Sequence, residues 1–191
     1  VLTGGPVLLA LLGGSPVEVT AMFAALALFR APYMVVLGTL PRLTERMTTY
    51  VESGAVETLR ALARRLAAVT LVAAPLAGAF GALVGPWLLR LVFGSSVEVT
   101  SAVAAVLAAG STLAVANVVL MVAALAGHHP LRVVIAWVGA VLVGVAAALV
   151  LSAQGAVART SAVFLTVEVA ATVALAVVAW GSLRLGGARR A

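Results

Sequence analysis

A single arginine, Arg30, stands inside the apolar stretch "AMFAALALFRAPYMVVLGTL". A charge at mid-bilayer costs roughly 2.5–3.5 kcal/mol on insertion scales, so it normally faces a cavity or a partner. Two residues later comes Pro32, which frees a backbone carbonyl and bends a helix. A guanidinium beside such a bend suits phosphate, which arginine binds bidentately. The structural alternative is internal pairing or snorkelling. Glu168 is the other charge deep in an apolar run; it can pair with Arg30, take up a proton or cation, or face a water-filled interior. Asn117, the only asparagine, reads as an interhelical hydrogen-bonding group or a polar cavity contact.

Other chemistry finds little support. "GHHP" at 127–130 places two adjacent histidines in a turn, but a metal site needs further ligands at suitable spacing and none are near. With no Asp and no Cys, the chain has neither an Asp-x-Asp metal motif nor a thiol nucleophile. Nothing aligns histidine with serine and glutamate as a triad, which is recognised by geometry. No catalytic residue, cofactor or metal is therefore expected. An integral-membrane glycan-modifying enzyme is the weakest of the alternatives.

The elements that must hold these residues follow from composition. Hydrophobic residues make up 64% of the 191 and charged residues 9%, against about 25% charged in globular proteins; mean hydropathy is +1.22. The pI near 11.5 does not indicate nucleic acid, because such binders present a solvated basic face that this chain lacks the polar residues to build. All twelve basic residues are arginine, and the Ala/Val/Arg bias suits a GC-rich bacterial genome. The composition is that of an all-α polytopic membrane bundle. A spanning helix needs about 20 apolar residues, and five runs qualify: 17–40, 66–89, 97–126, 131–151 and 160–183. A sixth, 1–12, is shorter and reads as the tail of a helix that starts before this chain. The runs lack the alternation of a β-barrel.

Arginine placement orients the bundle. Alternating the spans puts Arg42, Arg46, Arg60, Arg64, Arg65, Arg132, Arg184, Arg189 and Arg190 on one side, and Arg90 and Arg159 on the other. That asymmetry predicts a cytoplasmic 41–65 loop and a cytoplasmic C-terminus. Within that loop, the 43–63 stretch is polar, then helical, and reads as a loop with an interfacial helix near anionic headgroups. Residues 184–191 read as a basic tail. By helical rise, Arg30 lies about 20 Å and Glu168 about 12 Å from the outer ends of their spans.

The chain also repeats itself. "GPVLLALLGGSPVEVT" at 5–20 and "GPWLLRLVFGSSVEVT" at 85–100 match at 11 of 16 positions. Each is a helix end, a connector and a returning helix on the extracytoplasmic side. Gly14 and Gly94 suit left-handed helix ends. Ser15 with Glu18, and Ser95 with Glu98, form S-x-x-E capping boxes, with Pro16 favourable in the first turn. Pro75 predicts a bend, and Gly81-x-x-x-Gly85 a close-packing face.

The repeated "P-x-L-L-x-L-x-x-G" helix end, with "LFRAPYMVVLGTLPRLTE" after the first copy, resembles the MATE-like MOP superfamily, particularly polysaccharide (O-antigen or teichoic-type) flippases. The resemblance covers essentially the whole chain. It implies the second six-helix lobe, first helix truncated, of a two-lobe transporter in the bacterial cytoplasmic membrane. The missing N-terminal lobe and the bilayer are then its partners, and a lipid-linked oligosaccharide or polysaccharide precursor its substrate, moved by alternating access. Arg30 would contact the pyrophosphate. The alternative is a MATE-type multidrug exporter, which favours cavity acids over a central arginine.

Overall fold

The structure, a computed structural model, describes the backbone of residues 4–188 and the side chains of 4–55 and 57–181. Among the described residues it is helical, without strands. Eight helices follow in chain order: α1 (Gly4–Leu11), α2 (Pro16–Phe29), α3 (Ala31–Gly38), α4 (Leu40–Glu52), α5 (Val56–Phe93), α6 (Ser101–Ala126), α7 (Pro130–Val150) and α8 (Ala156–Ala188). The side chains of the basic tail lie outside the described residues.

Four helices are long and apolar enough to cross a bilayer, within α5, α6, α7 and α8. Together α2 and α3 are long and apolar enough for a broken span or a re-entrant loop, bent by 49° at their junction. Leu71, Leu83 and Val150 are 77%, 82% and 82% exposed, as are many neighbours on α5 and α7. Contiguous apolar faces of that kind mark a lipid or protein interface rather than a water-facing surface. The architecture is that of a multi-span helical membrane bundle.

Its centre is α6, which touches α2, α3, α4, α5, α7 and α8. Small residues permit this crowding. A Cβ on Gly81 would meet the Ala104 carbonyl and the Ala108 Cβ, each at 2.7 Å, so α5 and α6 cross with their backbones nearly touching. Leu9, Leu26, Leu89, Val97, Leu107 and Phe164 form a core near the connectors. At the opposite, arginine-rich end, Met47 of α4 packs on Leu59 and Val122.

Local chemistry sets the helix ends. At the first connector the Gly13 and Gly14 amides donate to the Ala10 and Leu9 carbonyls at 3.2 and 2.9 Å, a Schellman cap. Gly13, not Gly14, takes the positive φ of 85°. Ser15 and Glu18 then form the expected capping box: the Ser15 amide donates to Glu18 Oε2 at 2.7 Å, and the Glu18 amide to Ser15 Oγ at 3.3 Å. The same Schellman pattern recurs at Gly54 and at His128, whose φ of 61° is a left-handed value for a non-glycine residue. The "GHHP" turn is thus the junction between α6 and α7.

Several boundaries differ from the hydropathy reading. The second connector has no capping box. Residues 94–100 run outside any helix, and α6 begins at Ser101 with Thr100 as N-cap, its hydroxyl accepting from the Val103 amide at 3.4 Å. Ser95 and Ser96 form a turn closed by the Val97 amide on the Gly94 carbonyl at 3.2 Å, and Val97 is buried in the connector-end core. The 17–40 run is two helices rather than one. The 41–65 segment is mostly helix, because α4 fills it and α5 starts at Val56. The apolar face of α4 packs against α5 and α6, so protein rather than lipid covers it. Since α8 starts at Ala156, Glu168 lies about 18 Å from its outer end, level with Arg30.

Candidate functional site: a buried polar layer at mid-depth

Arg30 occupies the break between α2 and α3, with φ −86° and ψ −7°. Pro32 has no amide to offer the Leu28 carbonyl, and its ring crowds that oxygen. Arg30 itself keeps its backbone bonds, donating to the Leu26 carbonyl at 3.1 Å and accepting from Met34 at 3.0 Å. The helix therefore bends at Arg30 without fraying. The side chain is less content: Nε and Nη2 are buried and have no hydrogen-bond partner.

Glu168 lies on the inward stripe of α8 that also carries Phe164, Ala171 and Leu175, and it is 1% exposed. Asn117 of α6, also 1% exposed, donates through Nδ2 to Glu168 Oε2 at 2.8 Å and to the Glu168 carbonyl at 3.1 Å. The Thr172 hydroxyl donates to the same carbonyl at 2.7 Å. The structure thus joins two of the three sequence-selected residues by hydrogen bonds. The third is near them: Arg30 interacts electrostatically with Glu168 and with Tyr33. No ion pair within 4.0 Å links Arg30 to Glu168; among the described residues the ion pair is Arg60–Glu57, at 2.6 Å on the surface.

The layer therefore holds a cation and an anion that are neighbours without touching, each set by a different helix. Such a guanidinium can receive an anion through its free N–H groups, while the carboxylate is already oriented by Asn117. Asn117 Oδ1 and Ser111 Oγ are further buried acceptors without partners. Tyr33 and Thr172 are members that the sequence reading missed. Their signal was their spacing, three and four residues after Arg30 and Glu168, which places each pair on one helix face.

His128 and His129 lie at the α6–α7 junction, away from this layer. Among the described residues no three His, Cys, Asp or Glu side chains gather as metal ligands. Comparison of the chain with protein-family models, curated proteins and solved structures finds no match.

Proposed function

We propose that this chain is one lobe of a two-lobe, MATE-like transporter. In this reading it moves a lipid-linked oligosaccharide or polysaccharide precursor across the bacterial cytoplasmic membrane by alternating access. Arg30 contacts the pyrophosphate of that substrate. The observation that carries the reading is the Arg30 guanidinium, with two buried nitrogens lacking any protein partner at the bend of the α2–α3 pair. Arg30 is half-buried, but buried N–H donors without acceptors are costly, and an anionic ligand would relieve that cost. Transporters commonly place substrate sites at discontinuous membrane helices. The arginine asymmetry supports a cytoplasmic C-terminus.

Complementation of a flippase-deficient strain tests this. Arg30→Ala should abolish glycolipid transport while protein stays in the membrane. Arg30→Lys keeps the charge but loses the bidentate fork, so it should retain partial activity at most. Because Arg30 and Glu168 make no direct ion pair, the double change Arg30→Ala, Glu168→Ala should remain inactive. Full activity of the double variant would make Arg30 a neutraliser of Glu168, and full activity of Arg30→Ala would remove any role for it.

A MATE-type exporter of cationic drugs is the second reading, favoured by the buried acid Glu168. It requires drug resistance that depends on Glu168 and survives Arg30→Ala.

A further inference from the structure

Beneath the polar layer a groove of about 400 Å³ opens between α5, α6 and α8. Leu71 and Pro75, Ala116 and Leu120, and Ala176 and Trp180 line it from the three helices. Its walls are almost wholly apolar. Two features of sequence create it. Pro75 withholds an amide from the Leu71 carbonyl inside α5, and alanines on the facing helices leave the space that larger side chains would fill.

The charge lies at one end only. On α5, positions 60, 64, 67 and 71 fall at i, i+4, i+7 and i+11 on one face, so Arg60 and Arg64 continue the groove's Ala67–Leu71 wall toward the arginine-rich end. Arg60 is held by Glu57 at 2.6 Å. Arg64 is exposed and has no ion pair among the described residues. Trp180, 40% exposed, stands on the opposite wall at the same end, as aromatic side chains do at headgroup depth. The acidic groups nearby on the flanking elements are Glu45 and Glu52 of α4, outnumbered by Arg42, Arg46, Arg64 and Arg65.

We propose that this groove binds one anionic phospholipid from the leaflet at the arginine-rich end. One acyl chain fills the groove from Trp180 up toward Ala116, and the phosphate meets the guanidinium groups of Arg64 and Arg60. An apolar slot with cations at a single mouth fits an anionic amphiphile; a neutral lipid leaves the arginines unused, and a soluble anion leaves the slot empty. The assignment is independent of what Arg30 binds.

The test is native mass spectrometry of the purified protein in detergent micelles carrying equal amounts of phosphatidylglycerol and phosphatidylcholine. Wild type should retain phosphatidylglycerol as a one-to-one adduct in clear excess. A juxtamembrane arginine contributes about 1 kcal/mol toward anionic lipid, so Arg64→Gln should lower that excess about fivefold. Ala176→Trp fills the slot and should lose the adduct of either lipid, with helicity and unfolding temperature reporting whether the fold survives. If Ala176→Trp misfolds, Arg64→Gln decides, because Arg64 is on the surface. Equal retention of the two lipids by wild type would overturn the proposal, as would an adduct unchanged in a folded Ala176→Trp variant. Displacement of phosphatidylglycerol by a polyprenyl phosphate at equal concentration would reassign the slot to an isoprenoid chain.

Discussion

Consider the removal of Asn117. Its Nδ2 makes both side-chain bonds to Glu168, at 2.8 and 3.1 Å, and both residues are 1% exposed. Hydrogen bonds between membrane helices average about 0.6 kcal/mol in double-mutant cycles, with a maximum near 1.7. Hydrogen bonds to charged groups in proteins reach about 1.5–3 kcal/mol. Two circumstances put the side-chain contact at the top of the membrane range: its acceptor is a carboxylate, and water has no access to replace the donor. The bond to the Glu168 carbonyl does not enter the coupling, because Glu168→Ala keeps that carbonyl. The coupling between Asn117→Ala and Glu168→Ala should therefore be about 1.5–2 kcal/mol, which is a ten- to thirty-fold change in the folded-to-unfolded ratio. Asn117→Ala alone should cost more, because it strands a buried carboxylate, whereas Glu168→Gln keeps an acceptor oxygen and should lose less than about 1 kcal/mol. Equilibrium unfolding in mixed micelles, or steric trapping in bicelles, measures all four corners of the cycle. A coupling within about 0.3–0.5 kcal/mol of zero is what independent sites give, and it would refute the claim that this pair ties α6 to α8.

Other expectations follow from the packing and the caps. Gly81→Ala should destabilise by about 1–3 kcal/mol through overpacking against the Ala104 carbonyl, while Gly139→Ala, with nothing within 4 Å of the added methyl, should be neutral or stabilising in the same unfolding assay. Ser15→Ala and Thr100→Ala should each cost about 0.5–2 kcal/mol as N-cap losses, and Ser95→Ala should cost almost nothing; a large Ser95 effect would mean that the second capping box forms. A reporter placed after Ala191 should read cytoplasmic and one inserted between Ser95 and Ser96 extracytoplasmic. Both on one side would overturn the five-span topology.

Hydropathy made the long spans legible because their length and apolarity are properties of contiguous sequence. Pro32 was legible for a similar reason: a missing amide acts within one turn. The Gly81 close approach also showed, since only a residue without a Cβ allows backbones so near. The boundaries of α4 and α5 were hidden because their exposed faces carry Arg, Glu and Thr, which pull down local hydropathy even where the helix continues. The second connector failed differently. Ser95-x-x-Glu98 satisfies the capping pattern as well as Ser15-x-x-Glu18 does, and only the burial of Val97 in the tertiary core decides between Ser95 and Thr100. The Asn117–Glu168 contact, 51 residues apart, has no local signature. Neither does the geometry that leaves Arg30 beside Glu168 without touching it.

The central position of α6 imposes an order on biosynthesis. The chain is made from its N-terminal end, so α2 and α3 enter the membrane before the helix that shelters them has been translated. Arg30 is then a charge in an incomplete wall, and its carboxylate neighbour at 168 is still 138 residues away, by 168 − 30. Until α6 is inserted, neither α3 nor α4 has its main protein surface to pack on, and until α8 follows, Asn117 has no Glu168 to meet. The polar layer is consequently the last part of the bundle to close. Any substitution that slows the arrival of α8 exposes Arg30 and Asn117 to lipid for longer, and quality-control proteases would sample the chain in that interval.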